Sequence, residues 1–154
     1  MQRGWKIRAL AAGDAVALCH LIEALAAHHG DVAEVKSAQV MRDCLGTDAV
    51  LRTLVAQAQG KLIGYAAAMP RVQLQFGRRG AELHHLFVAR EWRGRGVGRG
   101  LMRATMAMVA REMGAEFMVV GTEPENLRAQ GFYTAFGLRA LGGAGPRFAI
   151  RLSD

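Results

Sequence analysis

Glycine and arginine alternate over residues 93–100, in the run Arg-Gly-Arg-Gly-Val-Gly-Arg-Gly. The run follows the apolar residues Leu86, Phe87 and Val88, which are typical of the end of a strand, and it precedes a helical pattern that starts at Leu101. A glycine-rich turn between a strand and a helix directs several backbone N–H groups toward one point, at the positive end of the helix dipole. The run therefore predicts an anion site, and the expected ligand carries a phosphate group.

The spacing of the glycines distinguishes between the known phosphate-binding motifs. A dinucleotide-binding turn has the pattern G-x-G-x-x-G or G-x-G-x-x-A. If the pattern starts at Gly94 its last position is Arg99, and if it starts at Gly96 its last position is Leu101, so neither start fits. The sequence also lacks the nucleotide-binding pattern G-x-x-x-x-G-K-[ST]. The pattern that fits is R-x-x-G-x-G, with Arg93, Gly96 and Gly98 at its fixed positions, although a glycine-rich turn without a ligand would share this composition.

A second run with motif-like spacing lies near the end of the chain. It reads N-x-x-A-x-x-F-Y-x-x-x-G-L from Asn126 to Leu138. Asparagine is a favoured first residue of a helix, so the spacing places Asn126 at a helix start and Tyr133 two turns later.

Both runs resemble motifs of the GNAT-type N-acetyltransferase superfamily. The first is similar to its acyl-CoA pyrophosphate loop, and the second is similar to its N-x-x-A-x-x-F-Y-x-x-x-G-F pattern, with Leu138 in place of the last aromatic residue. The resemblance implies acetyl-CoA as the cosubstrate. The residues that it implies for binding acetyl-CoA are Phe87, Val88, Arg93, Gly94, Arg95, Gly96, Val97, Gly98, Arg99 and Asn126.

The resemblance also implies individual roles. Asn126 would contact the pantetheine or phosphate arm, Tyr133 would lie near the thioester sulfur, and the amide of Val88 or of Phe87 would donate to the oxyanion. The reaction further needs a neutral amine and a proton for the departing thiolate. A tyrosine, with an unperturbed pKa of about 10, holds its proton at neutral pH, so Tyr133 is the predicted general acid. The alternatives are an N-cap for Asn126 and a core aromatic residue for Tyr133.

The general base is expected on the strand before the glycine run. Strand alternation predicts two faces, one with Glu82, His84, Leu86 and Val88 and the other with Leu83, His85 and Phe87. His84 lies four residues before Val88, where the similar diamine and arylalkylamine acetyltransferases carry a carboxylate or an imidazole. An imidazole accepts a proton near neutral pH, and Glu82 could orient His84 or act in its place. The alternative for either histidine is a structural role.

Neither a metal site nor a covalent cysteine is expected. Neighbouring strand residues point to opposite faces, so His84 and His85 should not share a metal. Cys19 and Cys44 show no C-x-x-C spacing and lie outside both motifs. Cysteines of this kind are typical of a reducing compartment, and the predicted location is the cytoplasm.

The basic charge of the chain fits an anionic ligand. The net charge of +7 comes from 17 arginines and 3 lysines against 13 acidic residues, and four arginines lie between Arg90 and Arg99. Arginine-glycine boxes that bind nucleic acid usually lie in disordered tails, whereas this run lies between a strand and a helix, so no nucleic-acid partner is expected. No stretch has the apolar length of a membrane span, and no membrane partner is expected.

Apolar periodicity predicts the order strand, two helices, three strands, helix, strand, helix, two strands. Pro70 is predicted to interrupt a strand over residues 62–69, and residues 138–141 and 147–152 are predicted to form a final hairpin. In the third helix, Met102, Met106, Val109 and Met113 are predicted to pack on the sheet.

This order resembles the GNAT fold over almost the whole length. It predicts a single α/β (α+β) domain over residues 1–154, with four helices and a mixed sheet of six to seven strands that splay around the acyl-CoA site.

The predicted function is transfer of an acetyl group from acetyl-CoA to a primary amine of a small molecule or peptide, by direct attack in a ternary complex. The alternative is a non-catalytic acyl-CoA-binding or regulatory module with the same fold, against which the presence of Tyr133 argues. The sequence leaves the acceptor open, although Glu23, Asp31 and Glu34 would suit a cationic amine. A homodimer is consistent with the resemblance.

Overall fold

A computed structural model describes residues 4–142 and 146–153 of the chain, which fall into two units divided after Gly121. The first unit contains eight of the regular elements. In chain order they are β1 (Lys6–Ala9), α1 (Ala15–His28), α2 (Ser37–Cys44), β2 (Arg52–Ala58), β3 (Lys61–Gln73), β4 (Arg78–Val88), α3 (Val97–Met113) and β5 (Met118–Val120). The second unit contains α4 (Leu127–Phe136). Short 3-10 turns precede α1, join β3 to β4 and follow β4.

The sheet of the first unit is mixed, as predicted. Its strands lie in the order β1-β2-β3-β4-β5, in which β1 to β4 pair antiparallel and β5 pairs parallel to β4. The described residues form four α-helices, as predicted, and five strands, fewer than the predicted six to seven.

The two missing strands are those of the predicted final hairpin. Residues 138–142 and 146–153 form no strand, and the rest of the predicted turn, residues 143–145, lies outside the described residues. Phe148, Ile150 and Leu152 alternate as strand residues do, but each is more than four-fifths exposed. Alternation alone does not make a strand, because a strand also needs a partner for its backbone groups.

Helices cover both faces of the sheet. On one face, Leu18 of α1 and Val40 of α2 share a buried cluster with Tyr65 of β3 and Phe87 of β4. On the other face, α3 packs its buried side chains against the sheet, and Met108 and Val109 share a cluster with Ala68 and Ala81. The site described below lies in the strands between these two layers.

The buried face of α3 differs in part from the predicted methionine stripe. Met102 and Val109 are buried as predicted, but Met106 is 40% exposed and Met108 is buried in its place. The helix begins at Val97, one turn before the predicted start, and Val97 and Leu101 are buried. The buried face of the helix therefore includes Val97 and Leu101 and excludes Met106.

Pro70 does not interrupt β3, contrary to the prediction. The strand runs through it to Gln73, and Pro70 pairs with Ala81 of β4. The pairing of β2 with β3 ends at Ala68, so beyond that point β4 is the only neighbour of β3 among the described strands. The N–H of Ala81 points away from β3, toward the carbonyl of Phe117, so Pro70 lies in a pair that exchanges no hydrogen bonds. The missing N–H of the proline therefore costs no ladder bond.

Gly100 allows the indole of Trp5 to pack against the first turn of α3. A Cβ at this position would lie 2.7 Å from Cη2 of Trp5, 2.9 Å from its Cζ3 and 3.0 Å from Cδ1 of Ile7. We expect Gly100→Ala to lower the free energy of unfolding by about 1–3 kcal/mol in urea denaturation, because the indole ring must shift. The control is Gly131→Ala in α4, where a Cβ would meet no atom of the described residues within 4 Å. It should be neutral or stabilising, and equal effects of the two variants would contradict this explanation.

Candidate active site

Among the strands that the structure describes, none pairs with one half of β4 on the side of β5. β5 pairs with β4 only from Ala81 to Leu83, and it ends at Val120. Residues 84–88 of β4 therefore pair only with β3 in the part of the chain that the structure describes, and we call their other side the open edge of β4. This open edge lies where the strands are predicted to splay.

A β-bulge at His84 marks the start of the open edge. Ala67 pairs with His85 and Ala68 pairs with Leu83, so His84 is one extra residue in β4. Bulges of this kind break the alternation of a strand and change the direction of its side chains. They are frequent beside active sites.

The bulge also determines which backbone amides face the open edge. Before it, the N–H of Ala81 donates to Phe117 O on the side of β5, at 2.9 Å. After it, the N–H of Ala89 donates to Ile63 O on the side of β3, at 2.7 Å. Because the N–H groups of alternate residues point the same way, the N–H of Phe87 points toward β3 and that of Val88 points toward the open edge. Of the two amides named as candidate oxyanion donors, only that of Val88 points toward the open edge.

The side chains of His84 and His85 lie together, and the predicted separation onto opposite faces is wrong. Their rings stack with centroids 4.2 Å apart and planes 9° apart. The prediction assumed unbroken alternation, which the bulge removes. Even so, the described residues contain no group of three or more histidine, cysteine, aspartate or glutamate side chains that could hold a metal.

His85 has a partner that the sequence analysis missed. Its Nδ1 lies 2.9 Å from the hydroxyl oxygen of Tyr65, which is only 1% exposed. Burial, with smaller contributions from His84 and His29, lowers the pKa of His85 to about 4. Burial also raises the pKa of Tyr65 above its usual range. Both groups are therefore neutral around pH 7.

Glu82, the alternative base, lies near an arginine of the neighbouring strand. Its Oε2 is 3.9 Å from Nη1 of Arg71, and both side chains are partly exposed, at 39% and 48%. The contact is long and solvated, so it adds little stability. Its proposed role beside His84 stays a prediction.

The glycine run forms a tight turn that is fixed to the end of β4. Nε of Arg93 donates to Val88 O at 2.9 Å, and the guanidinium carbon lies 5.5 Å from the centroid of the Phe87 ring. Gly94 and Gly96 have φ angles of +75° and +83°, a region that residues with a Cβ rarely occupy. These contacts and angles hold the turn in one shape between β4 and α3.

The start of α3 fits a phosphate-bearing ligand. The N–H of Gly100 makes the first helical bond, to Gly96 O at 3.0 Å, so the helix begins directly after the turn. The amides of Val97 and Gly98 come before that bond and point out of the N-terminal end of the helix, where the dipole favours an anion. The guanidinium of Arg95, stacked 4.8 Å from the Trp92 ring centroid, adds positive charge to the same turn.

The second unit places Asn126 and Tyr133 on α4, as the spacing predicts. Oδ1 of Asn126 accepts the N–H of Ala129 at 3.1 Å, so Asn126 is the N-cap of the helix. This bond uses the carbonyl of the carboxamide and leaves its NH2 group for other partners. Tyr133 lies edge-on to Phe132, with ring centroids 5.4 Å apart, and burial raises its pKa to about 12. Its role and that of Asn126 toward a ligand stay predictions.

The described part of the chain has no helix that combines the length and the apolar character needed to span a bilayer. Both cysteines are unpaired, with Cys19 buried and Cys44 partly buried.

The sequence matches the family model described as "Acetyltransferase (GNAT) family" over residues 18–138. Human N-acetyltransferase 8B is 32% identical over 88 residues, which cover 57% of this chain and 38% of the human protein. Rat N-acetyltransferase 8B is 30% identical over 98 residues, covering 64% of this chain and 44% of that protein. The chain thus matches less than half the length of these relatives.

Solved structures share the fold over nearly the whole chain. The structure of AAC(6')-Iy in complex with the bisubstrate analogue CoA-S-monomethyl-acetylneamine has a TM-score of 0.79, 23% identity, and coverage of 96% of this chain and 98% of that one. The aminoglycoside acetyltransferase meta-AAC0020, from an uncultured soil metagenomic sample, has a TM-score of 0.79, 21% identity, and coverage of 97% and 98%.

Proposed function

Because the chain belongs to the acetyltransferase (GNAT) family, we propose that it moves an acetyl group from acetyl-CoA to a primary amine of a small molecule or peptide. We further propose that the amine attacks directly in a ternary complex. The observation that carries the proposal is the arginine-bearing glycine turn between the open edge of β4 and the first turn of α3. It combines outward amides, a helix N-terminus and guanidinium groups, which are the donors that a diphosphate needs.

The binding residues divide into two groups under this proposal. The amides of Val97 and Gly98, with the arginines of the turn, hold the phosphates, and Gly94 and Gly96 give the backbone the shape that this requires. The amide of Val88 donates to the oxygen of the acetyl carbonyl, because it points toward the open edge of β4. When bound, acetyl-CoA supplies an acetyl group activated as a thioester.

The catalytic residues accept and donate protons under this proposal. We assign His84 as the group that accepts the proton of the attacking amine, directly or through water, with Glu82 to orient it or replace it. Tyr133 is the donor for the departing sulfur, and Asn126 binds the pantetheine or phosphate arm. Because the pKa of Tyr133 is about 12, the phenol keeps its proton over the whole range in which amines become neutral.

The structural neighbours support an amine acceptor in general terms. Two of them are aminoglycoside acetyltransferases, and another is a ribosomal-protein-alanine N-acetyltransferase from Brucella melitensis. These names describe acetyl transfer to an aminoglycoside and to an alanine of a ribosomal protein. The unpaired cysteines are consistent with a reducing compartment, and we propose the cytoplasm as the location. We also propose that the protein forms a homodimer.

A screen of amines with the full chain tests this function. We expect release of free CoA, detected with a thiol reagent, when acetyl-CoA is mixed with the protein and one of three acceptors: kanamycin, spermidine or a peptide with a free N-terminus. Mass spectrometry should show an acceptor heavier by one acetyl group. Saturable acetyl-CoA binding without acetylation of any amine in a wide panel would instead support the non-catalytic module.

A further inference from the structure

A hydrogen-bonded pair, Tyr65 and His85, lies next to His84, the proposed base. His85 sits next to His84 at the bulge of β4, and their rings stack at 4.2 Å. The ring of His85 is held from β3 by the hydroxyl of Tyr65, 2.9 Å from Nδ1. Tyr65 and His85 are 20 residues apart, so only the pairing of β3 with β4 brings them together.

Burial determines the direction of this hydrogen bond. Tyr65 is 1% exposed, and Nδ1 of His85 is the hydrogen-bond partner of its hydroxyl among the described residues. A buried hydroxyl must donate its proton or lose the free energy of a hydrogen bond. The O–H of Tyr65 therefore donates to Nδ1, and Nδ1 carries no proton. A neutral imidazole has one N–H, so the proton of His85 is on Nε2.

We propose that Tyr65 is a positioning residue, which locks His85 in its neutral Nε2–H form and leaves His84 as the one histidine of the stacked pair that can accept a proton from the substrate amine. In that step the proton leaves the amine nitrogen for His84 as the nitrogen electron pair forms the bond to the acetyl carbon. The electron pair of the broken carbon–sulfur bond takes the proton of Tyr133. The role of His84 rests on the proposed function, whereas the lock on His85 does not.

The groups around the pair favour this arrangement. The titratable neighbours of His85 are Tyr65 on β3, His84 on β4 and His29 at the end of α1. Tyr65 itself has Cys44 of α2 as a neighbour, which contributes to its raised pKa. Burial and the two neighbouring imidazoles all oppose a positive charge on His85, and none of the neighbours named here is a carboxylate. His84 is exposed to water, whereas His85 is only partly exposed. The stack thus places an exposed ring, which a substrate amine can reach, beside a ring that burial keeps neutral.

The test removes only the hydroxyl, with Tyr65→Phe. Long-range proton–nitrogen NMR on the free protein between pH 5 and pH 8 reports which ring nitrogen of His85 carries the proton. We expect Nε2–H to be the only neutral form of the His85 ring in the wild type over this range. In Tyr65→Phe we expect a mixture of both neutral forms at pH 8. With an acceptor from the amine screen, kcat at pH 7 should fall about tenfold and KM for acetyl-CoA should stay within about twofold.

The matched control is Thr105→Val, which removes a hydroxyl from α3. Thr105 is 0% exposed, and its hydroxyl has no hydrogen-bond partner among the described residues. This variant should leave the NMR signals of His85 and the pH profile of kcat unchanged. A proton on Nδ1 of His85 in the wild type, or an unchanged tautomer in Tyr65→Phe, would overturn the proposal even if the protein acetylates amines. A protein that acetylates nothing but shows the expected tautomers would retain the lock and lose only the proposed function.

Discussion

Tyr133→Phe lowers kcat for acetyl transfer about a hundredfold in this account, which is the lower end of the usual contribution of a general acid. The affinity for acetyl-CoA, measured by calorimetry, stays within about twofold of the wild type, because the ring that packs against Phe132 is kept. Only the O–H group is lost, and with it the proton for the departing sulfur.

The pH dependence adds a second readout to this variant. Burial raises the pKa of Tyr133 to about 12, so the phenol is protonated at every pH below about 11. Ionisation of Tyr133 should therefore not lower the kcat of the wild type at any pH up to 10. The pH profiles of the wild type and of Tyr133→Phe should have the same shape in this range. The control is Thr134→Ala, an exposed neighbour on α4, which should keep full activity. A Tyr133→Phe protein with wild-type kcat would remove Tyr133 from the mechanism.

Gly96→Ala is expected to weaken acetyl-CoA binding at least tenfold. Gly96 is the N-cap of α3, with φ +83° and ψ 2°, and a residue with a Cβ costs about 1–2 kcal/mol more than glycine in this region. Space is not the cause, since the nearest atom to a Cβ here would be Cζ2 of Trp5 at 3.8 Å. The backbone would relax away from this φ and turn the amides of Val97 and Gly98 away from the ligand.

The same helix offers the matched control at its other end. Gly114 is the C-cap of α3, with φ +63°, and within the described part of the chain a Cβ there would meet nothing within 4 Å. Gly114→Ala should cost a similar free energy of unfolding in urea and leave acetyl-CoA affinity unchanged. If both variants weakened binding equally, the effect would come from the stability of α3, and the turn would not be the phosphate site.

Features that depend on residues close together in the chain could be predicted from the sequence. Asn126 caps α4 through its side chain, as its residue type and position predict. The glycine turn could be predicted because its glycines and arginines are consecutive in the sequence. The order of the first nine regular elements was predicted for the same reason.

The bulge at His84 could not be predicted, because it depends on how β3 pairs with β4. The pairing of β4 with β3 is regular from Arg78 to Leu83, and the extra residue is visible only against Ala67 and Ala68. The hydrogen bond between Tyr65 and His85 follows from the same pairing. Tyr65 lies in the run Gly64-Tyr65-Ala66-Ala67-Ala68, and its hydroxyl among small residues was the one signal that could have identified it.

The central claim is that the turn between β4 and α3 binds the diphosphate of acetyl-CoA. Calorimetric titration of the wild-type chain with acetyl-CoA, at two salt concentrations, tests it most directly. The account predicts one saturable site per chain, displaced by CoA, weaker at higher salt and at least tenfold weaker in Gly96→Ala. Absence of saturable binding, or equal affinity in the wild type and Gly96→Ala, would contradict it.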